Sequence, residues 1–141
     1  MASNITPLPT RLKPSDAEKI TINLGYVDLG QIDLLVTESF YSNRTDFIRT
    51  AIRNGLERHG DAVKQSVARK RLSLGLTHYG RRDLEAAVAA GETLDIQVLG
   101  LATIGSDVTP ELARAAISSV QVLGALHASP AVRAALADRT T

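Results

Sequence analysis

The hydrophobic pattern of the chain changes period as it proceeds. Between Lys19 and Leu24 the apolar residues Ile20, Ile22 and Leu24 alternate with Lys19, Thr21 and Asn23. A period of two sends these sets to opposite faces of a β-strand, and Ile and Thr favour that conformation. Gly25 marks its end. Apolar residues then recur at helical spacing: Leu29, Ile32, Leu35, Val36 and Phe40, after Asp28 and Gln31 at capping-box spacing. Asn43 and Asp46 repeat that signature ahead of Phe47, Ile48, Ala51, Ile52 and Leu56, which predicts a second helix. Only Phe40–Ser42 lies between the two, so the helices form a tight hairpin. The helical pattern runs on through Val63 and Val67 into Arg69-Lys70-Arg71, and the sequence leaves open whether Gly60 interrupts it. A lone strand beside two helices has no neighbour to satisfy its backbone. The same strand in a second copy is the simplest mate, which predicts an intertwined dimer with a two-stranded ribbon.

The second half contains a repeat. Leu74-Gly75-Leu76, Leu99-Gly100-Leu101 and Leu123-Gly124-Ala125 recur at spacings of 25 and 24 residues. Each lies in a strand-like run (Leu72–Tyr79, Leu94–Ile104, Val120–His127), and each run precedes a helix-like one (Arg81–Ala90, Pro110–Ser118, Pro130–Ala137). Thr109-Pro110 and Ser129-Pro130 read as N-caps followed by proline at the first helical position. The residues around Asp107-Val108 lengthen the middle connection. Units of this length build either a short β/α solenoid or a small parallel sheet. The three glycines are expected to permit close backbone packing between repeats.

The fold class is therefore α+β: one strand and two helices, dimeric, followed by a small βαβαβα domain. Residues 1–17, with Pro7, Pro9 and Pro14, read as a flexible arm carrying Arg11 and Lys13. Residues 18–60 form the strand–helix–helix domain, 61–71 a basic helical connector, and 72–141 the repeat domain for assembly or partner binding.

Charge divides along the same line. Residues 1–82 hold 13 Lys and Arg against 8 Asp and Glu, whereas residues 83–141 hold 3 against 7. A basic first half points to a polyanionic partner for that half alone. The absence of cysteine excludes a disulfide framework, a thiolate nucleophile and Cys-type zinc sites, and fits a reducing, cytoplasmic setting. No apolar run reaches membrane-spanning length.

The strand KITINL and the helix opening SNRTDFIRTAIRNGL resemble the ribbon-helix-helix family of bacterial transcriptional regulators. The resemblance covers Lys19–His59 and leaves the C-terminal half outside it. It implies a homodimer that binds double-stranded DNA in a sequence-specific way, as a repressor, with the ribbon in the major groove. Lys19, Thr21 and Asn23 would contact base edges; Lys suits guanine, Asn suits adenine, and Thr offers a hydroxyl and a methyl. The N-terminus of the second helix, with Ser42, Asn43, Arg44 and Thr45, would hold a DNA phosphate through free N–H groups and the helix dipole. Arg49, Arg53 and Arg58 share that helix, and Glu57 follows Arg53 by four, the pattern of a solvated charged face.

Enzymatic chemistry finds no support: GxSxG, phosphate-loop and GxGxxG patterns are all missing. His59, His78 and His127 are far apart, although His78 and His127 fall at similar points of the first and third repeats. No cofactor and no metal site are expected. The alternative reading is an antitoxin whose C-terminal part binds a toxin. Against it, residues 72–138 carry enough pattern to fold alone.

Overall fold

Why the chain divides where it does follows from helix chemistry at His59. In a computed structural model, which describes residues 17–141, helix α2 (Arg44–Arg58) ends at that residue, and α3 (Gly60–Lys70) begins immediately after it. The helical run is thus interrupted at His59, and Gly60 itself opens α3. Two compact units result, one ending at His59 and one starting at Gly60. The proline-containing arm lies outside the described residues apart from Ala17.

In the first unit, Lys19–Leu24 is neither helical nor paired with any strand among the described residues. Helix α1 spans Tyr26–Thr37 and starts three residues earlier than the Asp28 signature predicts. The N-cap is Gly25, whose carbonyl accepts the first helical hydrogen bond from the Leu29 N–H at 3.0 Å, and no side chain caps the helix. Glycine is acceptable in that role, so Asp28 falls into the first turn and faces the positive end of the dipole. The hairpin is also looser than expected. Phe40 lies beyond α1, in a connection running from Glu38 to Asn43, where Ser39 adopts a positive φ of 66°. Tyr41 and Phe47 pin that connection to α2 by an edge-to-face contact, with ring centroids 5.0 Å apart.

The second unit is a three-stranded parallel sheet of order β1 (Ser73–Tyr79), β2 (Leu94–Ile104) and β3 (Ile117–His127). Helices α4 (Arg81–Ala89) and α5 (Pro110–Ala116) connect the strands, and α6 (Pro130–Ala135) follows β3. The described residues are therefore mixed α and β, with six α-helices and a parallel sheet. The expected N-caps form: the Thr109 hydroxyl accepts from Leu112 N–H at 3.1 Å, and that of Ser129 from Val132 N–H at 3.3 Å. Strand β3 starts three residues before the expected Val120, and α5 is correspondingly shorter. Ile117 is fully buried and pairs with Leu94, while Ser118 and Ser119 both donate to the Asp95 carboxylate. Tertiary partners here override local helix pattern. The other ends differ from expectation only by the fraying common at element termini.

Register is set by the repeat. Gly75, Gly100 and Gly124 stand in one row across the sheet, as do Leu74, Leu99 and Leu123. One face buries Ile96, Val98, Ala102, Ile104 and Val120 against Leu84, Ala113 and Val132 from the three helices and Leu136 just beyond α6. The other face carries the leucine rows, with Leu74 72%, Leu76 66% and Leu123 48% exposed. The glycines explain how such rows stack. A Cβ on Gly100 would fall 2.2 Å from the Gly75 carbonyl oxygen, and one on Gly124 2.0 Å from that of Gly100. Only glycine fits there.

Candidate nucleic-acid interface

The first unit is short of a core. Among its described residues only Ile32 is buried, and α2 has no buried residue at all. Ile22 is 57%, Ile52 49% and Leu56 63% exposed. Ile22, Leu24, Ile32, Leu35, Phe47, Ile48, Ala51 and Ile52 instead line an open, mostly apolar trough. A helix pair of this size cannot offset its conformational entropy with one buried side chain. Covering Ile22, Leu24, Ile52 and Leu56 would return roughly 1.5–3 kcal/mol each. Ile22 and Leu24 join the trough; the alternate residues Lys19, Thr21 and Asn23 are exposed and make no hydrogen bond among the described residues.

The start of α2 is built as the cap signature predicts. Asn43 Oδ1 accepts from the Asp46 N–H at 2.8 Å, and the Asp46 carboxylate accepts from the Ser42 N–H at 3.0 Å. The first backbone bond of the helix runs from the Phe47 N–H to the Asn43 carbonyl at 3.2 Å. The N–H groups of Arg44 and Thr45 precede it and have no intrahelical acceptor. Ser42, Asn43, Arg44 and Thr45 are all exposed, and the Ser42 and Thr45 hydroxyls make no hydrogen bond among the described residues. Arg44, expected to contact a phosphate, has a partner within the chain. Its guanidinium donates to both carboxylate oxygens of Asp33 on α1, each at 2.8 Å. That pairing holds the Asp33 carboxyl below the usual carboxylate range, with hydrogen bonding the larger cause. Asp33 is the residue the sequence reading missed: nothing in its spacing shows that it meets Arg44 until the hairpin brings the helices together.

His78 and His127 fall in one row of the sheet with Thr103 between them, and His78 Nδ1 lies 2.7 Å from Thr103 Oγ1. Among the described residues no cluster of His, Asp and Glu has the geometry to hold a metal ion. No described helix is long and apolar enough to cross a membrane.

An unmated alternating segment, an uncovered apolar trough and an exposed helix N-terminus thus stand together in the first unit. The chain belongs to the ribbon-helix-helix transcriptional regulator family, matching it over residues 15–133. That span corrects the expectation that only the N-terminal part shares the resemblance, since it takes in the repeat unit as far as α6. No curated protein and no solved structure matches the chain.

Proposed function

We propose that the protein is a homodimeric, sequence-specific DNA-binding repressor of the bacterial cytoplasm. Two copies pair their Lys19–Leu24 segments antiparallel, which turns Ile20, Ile22 and Leu24 into the shared trough and leaves Lys19, Thr21 and Asn23 facing the major groove. The observation that carries this reading is the exposed trough beneath an unpaired alternating segment, in a unit with one buried residue among those described. Ser42, Asn43, Arg44 and Thr45 then clamp a phosphate on either side. The Arg44 and Thr45 amides and the Thr45 hydroxyl supply the donors, while Asn43 closes the helix cap and Arg44 is shared with Asp33. Such contacts set position and register, and the strand residues discriminate bases.

The repeat unit serves assembly, joining DNA-bound dimers so that neighbouring sites raise each other's occupancy. Its folded core of aliphatic residues supports this role over an antitoxin tail that orders only on its toxin.

The test is selection of bound fragments from random duplex DNA by the wild-type chain and by a variant with Lys19, Thr21 and Asn23 all changed to Ala. The wild type should enrich a palindromic site. The variant should remain dimeric, keep salt-sensitive binding and lose sequence preference. Retained preference would exclude the strand as the reader.

A further inference from the structure

The outer edges of the parallel sheet are complementary to each other. Gly75, Gly100 and Gly124 share a positive φ of 119°, 140° and 125°. At Gly100 and Gly124 the space a Cβ would fill is taken by the carbonyl of the preceding strand. At Gly75 the backbone adopts the same conformation, yet no described residue lies within 4 Å of that space. The repetition that aims the Gly75 and Gly100 carbonyls at the next strand aims the Gly124 carbonyl off the edge of β3. On that same edge the Val120 carbonyl accepts from the Thr141 N–H at 2.9 Å. One edge lacks what the other offers.

We propose that the repeat unit stacks head to tail with a second copy of this chain. Strand β1 of one copy adds in parallel to β3 of the next, and Gly75 receives the Gly124 carbonyl. The register within the chain supplies the template. Strand β1 lies against Val98–Ile104, and Val98–Thr103 lies against Val122–His127. An incoming β1 would therefore occupy Val122–His127. The C-terminal residues Thr140 and Thr141 contact β3 at Val120, just short of that stretch. Among the described residues, the one side chain bonded to the edge there is Arg133, whose guanidinium donates to the Leu126 carbonyl at 2.7 Å and would turn aside.

Two further observations favour the same occupant. The row Leu74–Leu99–Leu123 would continue into Leu74 of the next copy, covering the two exposed leucines at its ends. Neither β1 nor β3 contains Lys, Arg, Asp, Glu or Pro, the residues that usually protect a sheet edge from strand addition. The glycine row has no stagger, so continued addition does not meet the shear that a closed barrel requires. The contact is heterologous and open-ended.

This inference rests on the assembly role proposed for the repeat unit and is independent of DNA reading. The natural chain has no cysteine, so Leu74→Cys and Leu123→Cys can be made separately in the full chain, mixed and oxidised. Neighbouring strands stand about 4.8 Å apart, within disulfide reach. The mixture should give a covalent species joined through positions 74 and 123, identified by mass spectrometry and absent from either variant alone. The double variant should give a ladder of covalent multimers. Leu74→Cys linking to itself would mean edge-to-edge pairing of two β1 strands and would overturn the proposal. Species above the dimer in sedimentation without the 74–123 link would overturn the edge contact and leave assembly standing. If no species above the dimer forms at any concentration, both fall.

Discussion

Arg44 and Asp33 meet through two parallel hydrogen bonds of 2.8 Å, joining the first turn of α2 to the exposed side of α1. A fork of this kind orients the guanidinium, and here it does so at the helix end where a phosphate is expected. Arg44 is therefore held in position and half neutralised at once. Asp33→Asn should release it. Affinity for duplex DNA of any sequence should rise several-fold, and the slope of log affinity against log salt should steepen by up to about 1. Measuring binding across a salt series checks this; an unchanged slope would show that Arg44 does not touch the backbone.

Acid should weaken the fold through three carboxylates. Asp33 is held below its ordinary range by Arg44, Asp95 by the Ser118 and Ser119 hydroxyls, and Asp138 chiefly by Arg114. For each the folded form binds its proton less readily than the unfolded chain. Their stabilisation is complete above the ordinary carboxylate pKa of about 4 and disappears as pH falls through the lowered folded values. Denaturation midpoints should be flat from neutrality down to that region and fall beneath it. Asp138→Asn should make the fall in the repeat unit shallower.

The glycine row separates strain from collision. Gly100→Ala forces a side chain into positive φ and against the Gly75 carbonyl, so it should destabilise the repeat unit by more than the strain alone, about 1–3 kcal/mol. In the unassembled chain Gly75→Ala meets only the strain and should be the milder change, whereas in the proposed stack it would also meet the Gly124 carbonyl of the next copy. Urea midpoints of the two variants, compared with wild type, decide the order.

Ile52 distinguishes a dimer from a free hairpin. It is 49% exposed in the single chain. As a surface residue its replacement by Ala would change stability by within about 0.5 kcal/mol. Buried between two copies, it should cost about 2–5 kcal/mol per protomer. The melting of the first unit should also become more dependent on protein concentration.

How much of this was legible in the sequence depends on the range of the interaction. Asn43 with Asp46, and the Thr-Pro and Ser-Pro helix starts, act over three residues and form as their spacing predicts. The glycine repeat was legible because each unit meets a copy of itself one period away. Of what the pattern missed, the start of α1 is a local choice of cap, and the other two features were decided by distant partners. Gly25 opens α1 in place of Asp28. Asp33 finds Arg44 across the hairpin. Ile117 leaves the helical pattern for a strand because Leu94 lies opposite it. The candidate DNA-reading face was legible only as an alternation, Lys19, Thr21 and Asn23 against Ile20, Ile22 and Leu24, because under the proposed function its partner belongs to another molecule.

The most direct measurement is an isotope-filtered NOE experiment on dimers reassembled from labelled and unlabelled chains. The account predicts backbone contacts between the Lys19–Leu24 segments of the two copies, in antiparallel order, with Ile22 of one against the α2 trough of the other. Contacts confined within one chain, or none between these segments in an intact dimer, would contradict it.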